Sequence, residues 1–272
     1  MTRYGHVSTY DYVVELAVSF TKGSSNMELT SDWKFWSFLV ALLALILSQI
    51  PPVHILLRKA KLDVEIYSRV FINHLVGDPS INIHLILRNI GGRNLRIKSI
   101  TANLYRDDKL VMTLPAKNYT GKENTNSNMN LLLTRFDIPA GEEWSHSTNF
   151  LNFFDRNDER KFREAEINLK KELVRVKTSA PAEPLAEASE EFIKPFNEML
   201  GSKFNWLAGD YILEIDVKTV MDNVGVKKKY RFTVFESNSD DLKNHSKGYP
   251  SGDGIYWWSN NYKGTNLEVE EM

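Results

Sequence analysis

Leu62-Asp63-Val64-Glu65-Ile66-Tyr67-Ser68-Arg69-Val70 puts its apolar residues on even positions, with acids, a tyrosine and an arginine between them. A period of two is the signature of a half-buried strand, because successive side chains leave a pleated chain on opposite faces. Ile81-Asn82-Ile83-His84-Leu85-Ile86-Leu87-Arg88 repeats the alternation on odd positions. Asn89-Ile90-Gly91-Gly92-Arg93-Asn94 then supplies residues that tolerate positive φ, a turn before Leu95–Tyr105 resumes. Asp107-Asp108 turns into Lys109–Leu114, and Pro139-Ala140-Gly141 separates Leu131–Ile138 from Glu143–Asn149. Tyr211–Val217 and Tyr230–Phe235 flank Asp222-Asn223-Val224-Gly225, a hairpin signal.

About seven or eight short strands without regular crossover helices predict a β-sandwich of immunoglobulin-like architecture over residues 62–238. A small closed barrel is the structural alternative. A helical insertion interrupts the strands at about residues 155–207. Within it Phe162, Ala165, Leu169, Leu173 and Val176 share one face of a helix, residues 178–184 read as a linker, and Pro195 threatens a second helix. The insertion is either a flap over a sheet edge or a binding element.

Upstream, Phe35–Leu57 holds 23 residues without a charge, between Lys34 and Arg58-Lys59. A helix of that length matches a hydrocarbon core of about 30 Å, so residues 34–58 predict a single transmembrane helix behind an N-terminal segment, residues 1–33. Pro51-Pro52 is the weak point, and a helix that stopped at Ile50 falls short of the bilayer. Arg58, Lys59, Lys61 and Arg69 outnumber Lys22 and Lys34, which favours a cytoplasmic C-terminal domain.

Thirty-four Lys and Arg oppose 35 Asp and Glu, so no polyanion such as nucleic acid is the expected partner. With no cysteine, disulfides, thiol catalysis and Cys-based metal sites are excluded. The histidines (His6, His54, His74, His84, His146, His245) lack metal-pair spacing, and the acids Asp155, Asp158, Glu159, Glu164 and Glu166 read as the charged start of a helix. No nucleophile elbow, phosphate loop or dinucleotide fingerprint occurs. The expectation is therefore a non-enzymatic protein with no catalytic residue, no metal and no cofactor.

Two surfaces stand out. Arg88, Arg93 and Arg96 gather around the Gly91-Gly92 turn, and Lys227-Lys228-Lys229 with Arg231 opens the last strand. In the aromatic-rich C-terminal tail, residues 239–272, Tyr256, Trp257 and Trp258 lie in a Gly/Ser/Asn-rich context suited to packing back on the sandwich or to a ligand. Glu268, Glu270 and Glu271 read as solvated. Together these features predict a single-pass membrane protein whose sandwich recruits or senses a partner protein or a second copy at the lipid bilayer. A cell-envelope glycan-binding protein, or a membrane effector gated by a small signal ligand, is the alternative.

Overall fold

A computed structural model describes residues 33–49, 59–124, 127–179, 186–255 and 264–272. The chain divides into two compact units, Met1–Val53 and His54–Met272.

In the first unit, helix α1 (Trp33–Gln49) takes up the 17 residues WKFWSFLVALLALILSQ. Its apolar side chains are exposed, with Trp33 at 74 %, Phe38 at 66 % and Val40 at 64 %. Ser37 and Ser48 turn their hydroxyls back onto the helix, donating to the carbonyls of Trp33 (2.9 Å) and Leu45 (2.7 Å). No described helix is long and apolar enough to cross a membrane. Pro51-Pro52 and the rest of the expected span to residue 58 lie outside the described residues, as does the N-terminal segment before Trp33.

The second unit is mainly β. Its strands are β1 (Leu62–Leu75), β2 (Asp78–Asn89), β3 (Leu95–Arg106), β4 (Lys109–Asn124), β5 (Ser127–Leu132), β6 (Phe136–Ile138), β7 (Glu143–Leu151), β8 (Gly209–Thr219), β9 (Val226–Val234), β10 (Thr265–Glu268) and β11 (Glu270–Glu271). All pairings are antiparallel, in the order β10-β1-β2-β7-β4-β3-β8-β9-β11, with β5 beside β4 and β6 beside β3. Two segments turn this order into a near-barrel. The first half of β4 pairs with β3 and its second half with β7, so the strand passes from one side of the core to the other. The C-terminal segment does the same, β10 on β1 and β11 on β9.

The alternation sets the core. Ile81, Ile83, Leu85 and Leu87 of β2 are at most 1 % exposed and share one core with Val64, Ile72 and Phe150 of the neighbouring strands β1 and β7 and with Leu104, Leu213 and Ile215 of β3 and β8. Each such side chain contributes about 1.5–3 kcal/mol through removal from water. Between Ile66 and Val70 the register on β2 shifts by a bulge, which leaves Tyr67, Ser68 and Arg69 outward.

Helices α2 (Arg156–Ser179) and α3 (Glu190–Lys203) form a second apolar cluster, with Phe162, Leu169, Leu173 and Phe196 packed on Val76 of the β1–β2 turn and on Tyr249. The insertion thus sits on a hairpin tip and not along a sheet edge. Val176 is only half-buried, α3 runs through Pro195 unbroken, and α2 extends to Ser179, one residue past the expected start of the linker. Asp155 accepts the N–H groups of Asn157 (2.8 Å) and Asp158 (2.9 Å), and these bonds hold its carboxyl below the usual range. It caps α2, while Asp158 pairs with Lys203 (2.6 Å) and Glu159 and Glu166 pair with Arg163 (2.8 and 2.9 Å).

Described parts of the stretch expected as a tail, residues 239–255 and 264–272, pack against the β domain. Helix α4 (Glu236–Lys243) leads into a 3₁₀ turn (Asn244–Ser251), where Tyr249 is buried, and Leu267 of β10 is sealed into the main core.

Candidate functional site

Among the described residues of the β domain lies a sizeable cleft, and its walls come from the closure of the sheet. Between β1 and β9, strands β10 and β11 bridge the gap. Val269 N–H donates to Ser68 O (2.9 Å) and Met272 N–H to Lys229 O (3.1 Å), extending the two ladders by one bond each. Outside this seam lies a half-open cleft of ≈ 900 Å³ bordered by Arg69, Asp107, Asp210, Arg231, Glu268 and Glu270. Its floor is Tyr211, stacked on Phe232 at 5.3 Å and 8°, with the phenol donating to Leu207 O (2.8 Å). Burial pushes the Tyr211 phenol up, against a smaller opposing pull from Arg106.

The charges of this cleft are organised as cross-strand pairs. Arg69 Nη2 meets Glu268 at 3.0 Å, where the two residues stand opposite each other in the ladder. Arg231 directs Nε (2.9 Å) and Nη2 (2.5 Å) to one oxygen of Glu270, again its ladder partner. Lys228 reaches Glu271 at 2.9 Å. The three glutamates expected to be merely solvated therefore face cations of the strands they join. The period-two pattern Leu267-Glu268-Val269-Glu270 was the available signal, but it is too short to stand out from a polar terminus. Thr233 donates to Asp210 (2.6 Å) on the cleft wall, and Asp107-Asp108 turns back at φ 51° and 59°.

The expected basic surfaces are largely consumed by such pairing. Arg88 bridges Glu65 (2.6 Å) and Glu143 (3.1 Å) on the outer face of β1, β2 and β7, and those hydrogen bonds, Glu143 first, raise its pKa. Arg96 faces Asp137 of β6 at 3.9 Å. Arg93 is exposed, and its carbonyl accepts from Asn89 Nδ2 (2.8 Å) inside the turn. Arg96 lies near the start of β3 and Asp107 just past its end, so the arginine turn and the cleft occupy opposite ends of that strand. Lys227 contacts Glu214 (3.1 Å) and Asp216 (3.3 Å). Burial pushes the Glu214 carboxyl up, but Lys227, Asn103 and Lys229 together hold it below the usual range. Tyr256, Trp257 and Trp258 lie outside the described residues.

A second polar centre sits where the helical layer meets the sheet. His74, 5 % exposed, accepts from Gly77 N–H at Nδ1 (3.0 Å) and donates from Nε2 to Leu242 O (2.9 Å). Its ring stacks on His245 (5.0 Å) and meets Phe204 edge-on (5.5 Å). His84, which alternates with the apolar residues of Ile81–Arg88, lies on the outer face within 3.1 Å of Ser145 Oγ. Among the described residues no three His, Asp or Glu side chains converge in a metal-binding group. No family model matches this sequence, and no curated protein matches it.

Proposed function

We propose that the chain is a single-pass membrane-anchored, non-enzymatic binding protein, whose β domain recruits or senses a protein partner at the bilayer. The observation that carries this reading is α1. From Phe35 to Ser48 its side chains are apolar except for Ser37 and Ser48, and both hydroxyls are satisfied within the helix. A helix apolar on every side is suited to lipid and unsuited to water. Seventeen residues rise about 25 Å, and the uncharged run continues in sequence to Leu57, enough to reach about 30 Å. Basic residues after the run favour a cytoplasmic β domain.

An immunoglobulin-like sandwich is the finer reading of the β domain. The orders β1-β2-β7-β4 and β3-β8-β9 correspond to the two sheets ABED and CFG of that architecture, with the helices inserted between the strands equivalent to E and F. Such sandwiches present edges and loops as recognition surfaces, and that is the role proposed for the cleft at the β1–β9 seam.

The absence of cysteine gives a clean test. Ser239 is buried, so the reporter goes at exposed Ser237, with a second variant at Ser24. In intact cells a membrane-impermeant maleimide should label Ser24→Cys, and Ser237→Cys only after lysis. Labelling of Ser237→Cys alone reverses the orientation. Equal protection of both, with recovery of the chain in the alkaline-wash supernatant, removes the anchor from the proposal.

A further inference from the structure

We infer that the seam between β1 and β9 is a strand-acceptor site that takes residues 264–272 of a second copy of this chain, producing a reciprocal strand-exchanged dimer. The inference does not depend on membrane anchoring.

Three features of the seam lead to it. First, the closing segment is the only described strand on either edge, and it engages each briefly: four residues on β1 and two on β9, with one further backbone bond apiece. A strand edge of this kind is a template for any chain with the right pattern. Second, the pattern is fully specified. Leu267 is inward and Val269 packs partly buried on the same core, while Glu268 and Glu270 meet Arg69 and Arg231 outside and Glu271 meets Lys228 beside Tyr230 on β9. These are side chains of the acceptor edges, so an empty seam presents an apolar slot flanked by three cations. The segment that satisfies both requirements is the chain's own C-terminus, and every copy carries one. Third, the segment begins with a close approach. A Cβ on Gly264 would overlap the Phe71 ring and come within 2.7 Å of Ile72 O, so the strand starts where only glycine fits. That fixes its register on whichever copy it joins.

Reach sets the geometry. Ile255 is packed in the helical cluster, and Gly264 opens the closing strand. The chain between them spans at most about 30 Å when extended. Exchange therefore joins two β domains face to face across a two-fold axis, each lending its last residues to the other.

Phe71 and Asn266 stand directly opposite each other on β1 and β10, both on the outer face. Full-length Phe71→Cys and Asn266→Cys chains carrying different tags are co-expressed and oxidised with copper phenanthroline. The expected result is a disulfide-linked dimer containing both tags. No such dimer should form when Asn266→Cys is replaced by Ser237→Cys. A chain carrying both cysteines that closes only an internal bridge, while the mixed single variants stay monomeric, overturns the proposal and leaves the tail in its own sheet. No bridge in either arrangement overturns it as well. So does cross-linking of Asn266→Cys to a different protein only, which points to a foreign acidic strand as the occupant of the seam.

A charge-exchanged pair supplies the second measurement. One chain carries Arg69→Glu with Arg231→Glu, the other Glu268→Arg with Glu270→Arg. Each places like charges opposite one another in its own seam, whereas exchange between the two restores both pairs. Light scattering should show a mixed dimer that neither variant forms alone, and persistent monomers in the mixture count against exchange.

Discussion

His74 stands near the end of β1 with each ring nitrogen held by a backbone group, which fixes it as the neutral Nε2–H tautomer. A second proton at Nδ1 would oppose the Gly77 N–H, and the new cation would lie against His245 and near Lys243, whose ammonium covers the Phe204 ring. Burial is the larger influence and lowers the pKa of His74, with a smaller upward pull from the Leu242 carbonyl. The folded-state pKa thus lies below the unfolded value near 6.5, and the unfolded chain takes up the proton first as pH falls. Stability is fully present above about pH 6.5, declines as pH drops through the window below it, and levels off under the folded pKa. The urea midpoint is accordingly expected to fall between pH 7.5 and 6.0, and His74→Gln should flatten that limb. His245→Gln serves as the control for the stacked ring. His74→Phe, which leaves the Gly77 N–H and the Leu242 carbonyl unpaired, should cost about 1–3 kcal/mol for each orphaned group.

The β1–β2 hairpin is the element on which sheet and helices depend together. Its turn places Val76 at φ 50° and Gly77 at φ 93°. A β-branched residue at positive φ is strained by about 1–3 kcal/mol and persists only where its surroundings hold it. Here Val76 is 1 % exposed within the helical cluster. A Cβ on Gly77 would come within 2.9 Å of the Leu200 Cα and carbonyl, so Gly77→Ala meets both the wrong backbone region and the backbone of α3. A loss of about 3 kcal/mol or more is expected, read as a lower midpoint with the slope of the urea transition unchanged. Elements of this domain were legible where their apolar spacing is regular, and not in proportion to their length. The alternations over 62–70, 81–88 and 95–105 lie inside β1, β2 and β3, and the apolar stripe Phe162-Ala165-Leu169-Leu173 is the buried face of α2. The expected strand over 131–138 is instead split into β5 and β6 at residues 133–135. Its first part pairs with the far half of β4, which runs ten residues beyond the expected end at Leu114. Propensity carries no sign of a strand that changes sides, nor of a valine forced into the left-handed region by packing. The candidate surfaces were legible as charge and not as pairing: Arg88 and Arg96 were visible, whereas Glu65, Glu143 and Asp137 become their partners only through register.

Closure of the sheet is a property of the whole molecule, because its last residues complete a seam whose sides are β1 and β9, near opposite ends of the β domain's sequence. Two contributions to that closure separate by size. The ion pairs Arg69–Glu268 and Arg231–Glu270 are more than half exposed on both sides, so each contributes about 0–1 kcal/mol and less at high salt. Leu267 is 5 % exposed, and its burial contributes about 1.5–3 kcal/mol, to which the backbone bonds of the two short ladders add. Apolar burial and main-chain pairing therefore hold the seam, and the charges select what enters it. Removing residues 264–272 should lower the melting temperature by about 4–10 °C and expose two long strand edges. The shortened chain should aggregate at concentrations where the full chain does not. Glu268→Gln with Glu270→Gln should shift the melting temperature by only a few degrees and leave the chain dispersed. Differential scanning fluorimetry and light scattering on the two variants test the division directly, because a double glutamine variant that melts and aggregates like the truncation would make charge, and not the Leu267 slot, the agent of closure.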